Sequence, residues 1–134
     1  MFTPKMVNHA LTLSLFSIAL KAPDRLALAF KQVKNAGYKF YVVDQTRGRC
    51  YFVQKVITIP DWVLTKRRPE YFHWYLAHEL SHALAGYQAK HGEAFQRQLL
   101  AICPPESIQY ETNYKRRNAA RAQIAAGYIP DDLL

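Results

Sequence analysis

His78-Glu79-Leu80-Ser81-His82, with His91-Gly92 and Phe95 downstream, is the stretch that most restricts how this chain can fold. In an α-helix each residue advances about 100°, so histidines four apart stand about 40° from one another and can grip one ion. The pattern therefore demands a regular helix here and a second segment that returns a third donor to its face. Zinc accepts neutral imidazole nitrogens at about 2.0–2.1 Å, and a catalytic site keeps three protein ligands plus a water. Glu79 adjoins His78 but is turned off the ligand pair, so it can take a proton from that water without binding the ion.

The surroundings suit that geometry. The spacing predicts a helix over Glu70–Gln88, opened by Pro69, whose missing N–H would have no partner in a first turn. Leu76, Leu80, Ala83, Leu84 and Tyr87 form an apolar stripe centred roughly opposite the two histidines. One side of the helix can thus enter a core while the other presents imidazoles to a cleft. Gly86 and the polar Gln88–Lys90 stretch let the chain turn and bring His91 back. Ala94, Phe95, Leu99 and Ile102 suggest a second helix that would fix His91 in place. Glu93 is an alternative third ligand, because a histidine-histidine-glutamate set is equally good zinc chemistry. His73 falls about 140° from His78 on the wheel and cannot share the ion; neither it nor His9 is expected at the site.

Ile57-Thr58-Ile59-Pro60, His78-Glu79-x-x-His82 and His91-Gly92-x-x-Phe95 together resemble the SprT-like zinc metallopeptidases, the group containing the Spartan and Wss1-type proteases. The resemblance covers roughly residues 25–105. It implies a single α+β, zincin-like domain with one zinc ion, His78, His82 and His91 as ligands and Glu79 as general base. It also implies N-terminal helices, a small antiparallel sheet, the motif helix and C-terminal helices. Family members are associated with DNA or chromatin, and some digest proteins crosslinked to DNA. Many carry a cysteine-rich zinc ribbon, whereas this chain has only Cys50 and Cys103. The stretch from His91 to Pro104 is also similar, more loosely, to the ImmA/IrrE group, which acts on repressors. A metzincin pattern fits poorly: its third histidine follows the second by six residues, here by nine.

At 134 residues the chain is expected to be one domain, and with half its residues apolar it can bury a core. Cys50 and Cys103 match no cysteine zinc spacing and no disulfide framework, so buried thiols in a reducing cytoplasm are expected. Ala10–Leu20 is apolar like the centre of a signal peptide, but Thr12, Ser14 and Ser17 dilute it, and a first helix is the better reading. It is also too short to span a bilayer, so no membrane contact is expected.

Pro23-Asp24 can open a helix to Asn35, with Gly37 as its stop. Tyr38–Val43 and Cys50–Ile59 read as two strands of a hairpin joined through Asp44–Arg49, and Pro60 ends the second. Val56–Ile59 is either an edge strand over the metal, to which substrate adds as a further strand, or an ordinary core strand. A basic helical tail is expected over about residues 112–134, helical from about Asn113 to Ala126.

The expected reaction is peptide hydrolysis by zinc-bound water that Glu79 deprotonates, with Glu79 then protonating the leaving amine. Tyr110, Tyr114 and Tyr128 are candidate oxyanion donors by residue type. Trp74 and Tyr75, one turn before the histidines, should shape the cleft or pack beside it. A net charge of +8 allows nonspecific association with phosphates, through Lys66, Arg67 and Arg68 or through Lys115, Arg116, Arg117 and Arg121. A solvated surface explains these charges nearly as well. Three functions remain open: an endopeptidase acting on protein, including DNA-associated protein; a regulatory protease of one repressor or partner; and a non-catalytic, zinc-stabilised nucleic-acid-binding module. An intact Glu79 weighs against the last, since a structural zinc site needs no base.

Overall fold

A computed structural model describes residues 3–125. The N-terminal half builds the support on which the motif helix rests. Asn8 caps α1 (His9–Leu20), its side-chain oxygen accepting from the Leu11 N–H at 3.0 Å. Thr12, one turn on, receives the Val42 N–H at 2.9 Å and so pins α1 to the first strand, β1 (Lys39–Val43). Between them, α2 (Asp24–Asn35) buries Leu26, Phe30 and Val33, the spacing that marks it as amphipathic in the sequence. Gly37 adopts φ +101°, a conformation that costs glycine little, and turns the chain from α2 into β1.

The sheet has three strands in the order β1–β3–β2, with β2 at Arg49–Tyr51 and β3 at Val56–Pro60. β3 runs parallel to β1, with Phe40 opposite Ile57, and antiparallel to β2, with Cys50 opposite Ile57. The sheet is therefore mixed, not antiparallel, and the hairpin expectation falls with it. Tyr38–Val43 does not form a hairpin with the next strand in the chain. Instead the Cys50–Ile59 run breaks at Phe52–Lys55, where Lys55 takes φ +55°, and its two halves pair with each other. Of the two readings of Val56–Ile59, the core strand is the one observed: it is central, and all five residues of β3 are buried.

Gly48 shows why the chain can cross from β1 to β2 past the end of β3. A Cβ there would lie 2.2 Å from the Thr58 carbonyl oxygen and 3.1 Å from Pro60 Cδ, so the crossing backbone rests directly on β3. The outer edge of β1 is covered by the N-terminal segment: the Asn8 N–H donates to the Val42 carbonyl and the Asp44 N–H to the Met6 carbonyl, each at 2.8 Å. β2 has no partner strand on its outer side among the described residues.

Short helix α3 (Asp61–Thr65) follows β3 directly, and α4 (Pro69–Ala85) carries the motif. α4 begins at Pro69 as expected but ends before Gln88. Gly86 at φ +92° stops it, and Tyr87, 71 % exposed, leaves the apolar stripe. The helix is also more enclosed than its stripe suggests, because α2, α3, α5 (Glu93–Ile102) and the sheet all pack against it. Tyr71, Phe72, Trp74, Leu76, Ala77 and Leu80 are buried, and so are His78 and Glu79. The final helix, α6 (Gln109–Ala125), returns to α4, beginning four residues earlier than the sequence indicates. The fold is thus α+β, with one hydrophobic core running from Leu15 through Phe30, Ile57 and Leu80 to Phe95 and Leu99. Among the described residues no helix is long and apolar enough to cross a membrane.

Candidate metal centre

Helical spacing places His78 and His82 side by side, ring centroids 5.1 Å apart, and the turn after Gly86 delivers His91 to both. The His91 ring lies 5.2 Å from that of His78 and 4.7 Å from that of His82. One potential ligand atom from each residue falls within 4.8 Å of the others. His91 Nε2 stands 3.3 Å from His78 Nε2, two atoms that would both be lone-pair donors to a metal. Two nitrogens at zinc-bond length on a tetrahedral ion are separated by about 3.3 Å, so this pair already has the edge length of a zinc tetrahedron. Three imidazole nitrogens with this convergence suit zinc and other late divalent metals.

The third donor that converges with His78 and His82 is His91; Glu93 is not in that group. Glu93 is exposed, its side chain 78 % accessible, and it pairs with Arg97 one turn along α5. His91 is positioned from beneath. Phe95, fully buried, lies 4.9 Å from the His78 ring, 4.6 Å from His82 and 5.0 Å from His91. The spacing from His91 through Gly92 to Phe95 thus sets one aromatic ring under all three ligands.

Glu111, in the first turn of α6, is the residue that sequence reasoning missed. Its Oε1 accepts from His78 Nδ1 at 2.9 Å and from Trp74 Nε1 at 3.0 Å, and the residue is only 4 % exposed. An ionised carboxylate can only accept, so Nδ1 of His78 is the donor, and in the neutral ring that binds metal Nε2 has the lone pair, facing His91 and His82. Burial pushes the Glu111 carboxyl up, but the hydrogen bond and charge of His78 and the hydrogen bond from Trp74 hold it below its ordinary value. One signal was present: Glu111 is the single acidic residue between Glu106 and Asp131, within a strongly basic stretch. Starting the tail helix at Asn113 left it outside.

Burial also keeps the other two imidazoles neutral, the form that binds metal. Desolvation, helped by the neighbouring histidines, pushes His82 down to about 4, and desolvation and His78 lower His91. Glu79 is 5 % exposed, and its Oε2 is buried with no hydrogen-bond partner among the described residues. Desolvation pushes its carboxyl up to about 7, against the opposing charge of His78. An orphaned acceptor beside converging imidazoles is what a water-handling carboxylate at a metal site requires, so the residues present fit a catalytic zinc.

The site opens into a cavity of about 550 Å³ whose lining includes Gly48, Arg49 and Cys50 on one side and Tyr114 and Arg117 on the other. Trp74 and Tyr75 line it as well. Trp74 holds Glu111, and the Tyr75 hydroxyl accepts the Gly48 N–H at 2.8 Å, so each has a structural bond in addition to its place in the wall. Of the candidate oxyanion donors, Tyr114 faces the cavity, its ring 5.1 Å from His78 and 5.9 Å from His91. Tyr110 packs instead on Tyr71, at 5.0 Å, and Tyr128 lies outside the described residues. His73 is half-buried away from the cluster and His9 is exposed, as expected.

Cys103 is buried, but Cys50 is only half-buried and lines the cavity, a correction to the sequence reading. Both thiols are pushed up to about 12, chiefly by burial, and so stay protonated. The two basic clusters meet at Tyr71. The Arg67 guanidinium lies 3.9 Å from the ring centroid, and Arg117 bonds to the Tyr71 hydroxyl from α6. Lys115 is near enough to His91 for its charge to be felt there, Lys66 and Arg68 are exposed, Arg116 makes its own contacts, and the side chain of Arg121 lies outside the described residues.

A scan against protein-family models and searches of curated proteins and of solved structures find no match to this chain.

Proposed function

We propose that the chain is a zinc-dependent endopeptidase of the SprT-like kind, with His78, His82 and His91 holding the metal and Glu79 moving the proton. The observation that carries this reading is a buried, unpartnered Glu79 Oε2 in the same cavity as three converging imidazoles. Bound zinc would supply Lewis acidity toward a water and a substrate carbonyl. With the metal bound, Glu79 Oε2 would accept a proton from the attacking water and return it to the leaving amine, one carboxylate serving first as base and then as acid. Glu111 keeps the His78 lone pair directed into the site by holding the proton at Nδ1. Tyr114 is the phenol positioned to donate to an oxyanion.

β2 has no partner strand on its outer side among the described residues, and its Arg49 and Cys50 line the cavity, so an extended substrate would bind there by adding a strand. This role belongs to Arg49–Tyr51, since Val56–Ile59 is enclosed on both sides. Such recognition reads backbone and tolerates varied side chains.

The test is hydrolysis of an unfolded protein by zinc-loaded enzyme, by chelated enzyme and by Glu79→Gln, with and without DNA. Expected are one zinc per chain, cleavage by the wild type alone, and retained zinc in Glu79→Gln. Cleavage by Glu79→Gln at the wild-type rate would remove Glu79 from the mechanism. Stimulation by DNA favours action on DNA-associated protein; its absence favours a narrower regulatory substrate.

A further inference from the structure

The cavity wall carries three guanidinium groups that catalysis does not use. Arg47 and Arg49 enter from the crossing loop and β2, and Arg117 from α6. All three residues are exposed, and none is ion-paired to a carboxylate among the described residues. Among the described residues that line the cavity Glu79 is the only carboxylate, and it is buried. Between the cations the wall is aromatic, with Trp62, Tyr71 and Tyr75. Arg67, stacked on Tyr71, adds a fourth positive charge nearby. A cleft lined by charges of one sign, with low-dielectric walls, concentrates ligands of the opposite sign.

We infer that this cleft selects peptides bearing carboxylates close to the scissile bond, with Arg47, Arg49 and Arg117 setting the preference. The inference rests on the peptidase reading and adds its substrate class. A peptide fits better than a nucleic acid because Arg49 lies on β2 itself, the strand with no partner strand on its outer side among the described residues, and Arg47 just precedes it. A peptide strand added there pairs its own amides with that edge and sets alternate side chains on the face of Arg49. A nucleotide chain has no amides to pair. Planar guanidinium forks match carboxylates bidentately, and partial enclosure keeps solvent from screening them fully.

The experiment compares end-blocked peptides that differ only in whether residues flanking one cleavable bond are Glu, Gln or Lys, using zinc-loaded protein. The kcat/KM for the Glu peptide should exceed that for Gln about tenfold, with Lys lowest, and the gap should narrow as salt is raised. Combining Arg47→Gln, Arg49→Gln and Arg117→Gln should bring the Glu-to-Gln ratio below about threefold. Lys31→Gln, which removes the same charge from a residue that does not line the cleft, should leave the ratio where it was. A wild-type ratio near one, or a ratio that survives the triple substitution, overturns the inference. A Gln peptide with a free C-terminus separates terminal from side-chain carboxylates. If that peptide, and not the internal Glu, carries the preference, the side-chain assignment fails.

Fluorescence anisotropy on zinc-loaded Glu79→Gln reads the same preference without hydrolysis. Should no peptide be cut by the wild type, the peptidase reading falls, while the binding ratio still decides the charge preference. A single-stranded oligonucleotide that displaces the Glu peptide, and binds the cleft more tightly than it does, would overturn the inference in favour of nucleic acid.

Discussion

Replacing Glu111 tests whether the site is held by its support as much as by its ligands. The Oε1 atom receives both His78 Nδ1 and Trp74 Nε1, so Glu111→Ala strands two buried donors at once. Each stranded donor costs about 1–3 kcal/mol, which sets an expected loss of about 2–6 kcal/mol in the metal-free protein. The metal feels a separate effect, because His78 loses the group that fixes its proton at Nδ1. Removing such a partner from a metal-bound histidine weakens affinity by about 10–100-fold. Glu111→Gln keeps an acceptor oxygen for both donors but loses the charge, and should fall at the weaker end, about tenfold. Competitive zinc titration against a chelator measures the affinities, and melting with and without metal measures the linkage. At a zinc concentration 100 times the wild-type Kd, metal adds about 2.7 kcal/mol to the wild type, but only about 0.4 to a variant binding 100-fold more weakly. Glu111→Ala protein that binds zinc as tightly as the wild type would show that Glu111 serves packing alone.

Three further outcomes are expected from the geometry. His91→Ala should lose most bound zinc, since Glu93 points away and is paired with Arg97; full metal content by elemental analysis would return the third position to Glu93. In protein stripped of metal, Glu79 has a carboxyl pushed from 4.5 to about 7, so its contribution to stability is complete below 4.5 and lost as pH rises through 7. The stability difference between wild type and Glu79→Gln should therefore shift by about 3 kcal/mol against the wild type between pH 4.5 and pH 8, measured by denaturant titration. His82, pushed down to about 4, favours folding as pH rises, but it does so in both proteins and leaves the difference unchanged; a flat difference would refute the burial of an uncompensated carboxyl. Gly48→Ala forces a Cβ against the Thr58 carbonyl and should cost about 1–3 kcal/mol of stability; an unchanged melting temperature would mean the crossing loop does not rest on β3.

What the amino-acid order determined by itself was local. Helical spacing put His78 and His82 on one face, Pro69 opened that helix, and the apolar recurrence of Leu26, Phe30 and Val33 marked α2. The same order brought His91 within reach, because a glycine and a short polar stretch leave few ways to turn. Strand pairing was not legible. The run from Cys50 to Ile59 has uniform β propensity, and the turn at Lys55 and the parallel partnership of β3 with β1 come from contacts distant in sequence. Which strand holds the centre of the sheet and which its edge was consequently left open by the sequence. Glu111 was hidden for the same reason, since α6 must fold back on α4 before its carboxylate finds His78 and Trp74. Periodicity records which face of an element is apolar; which elements meet is decided by long-range packing, and here it is packing that supplies the Glu111 support, the position of β2 at the side of the sheet and the arginine-lined wall.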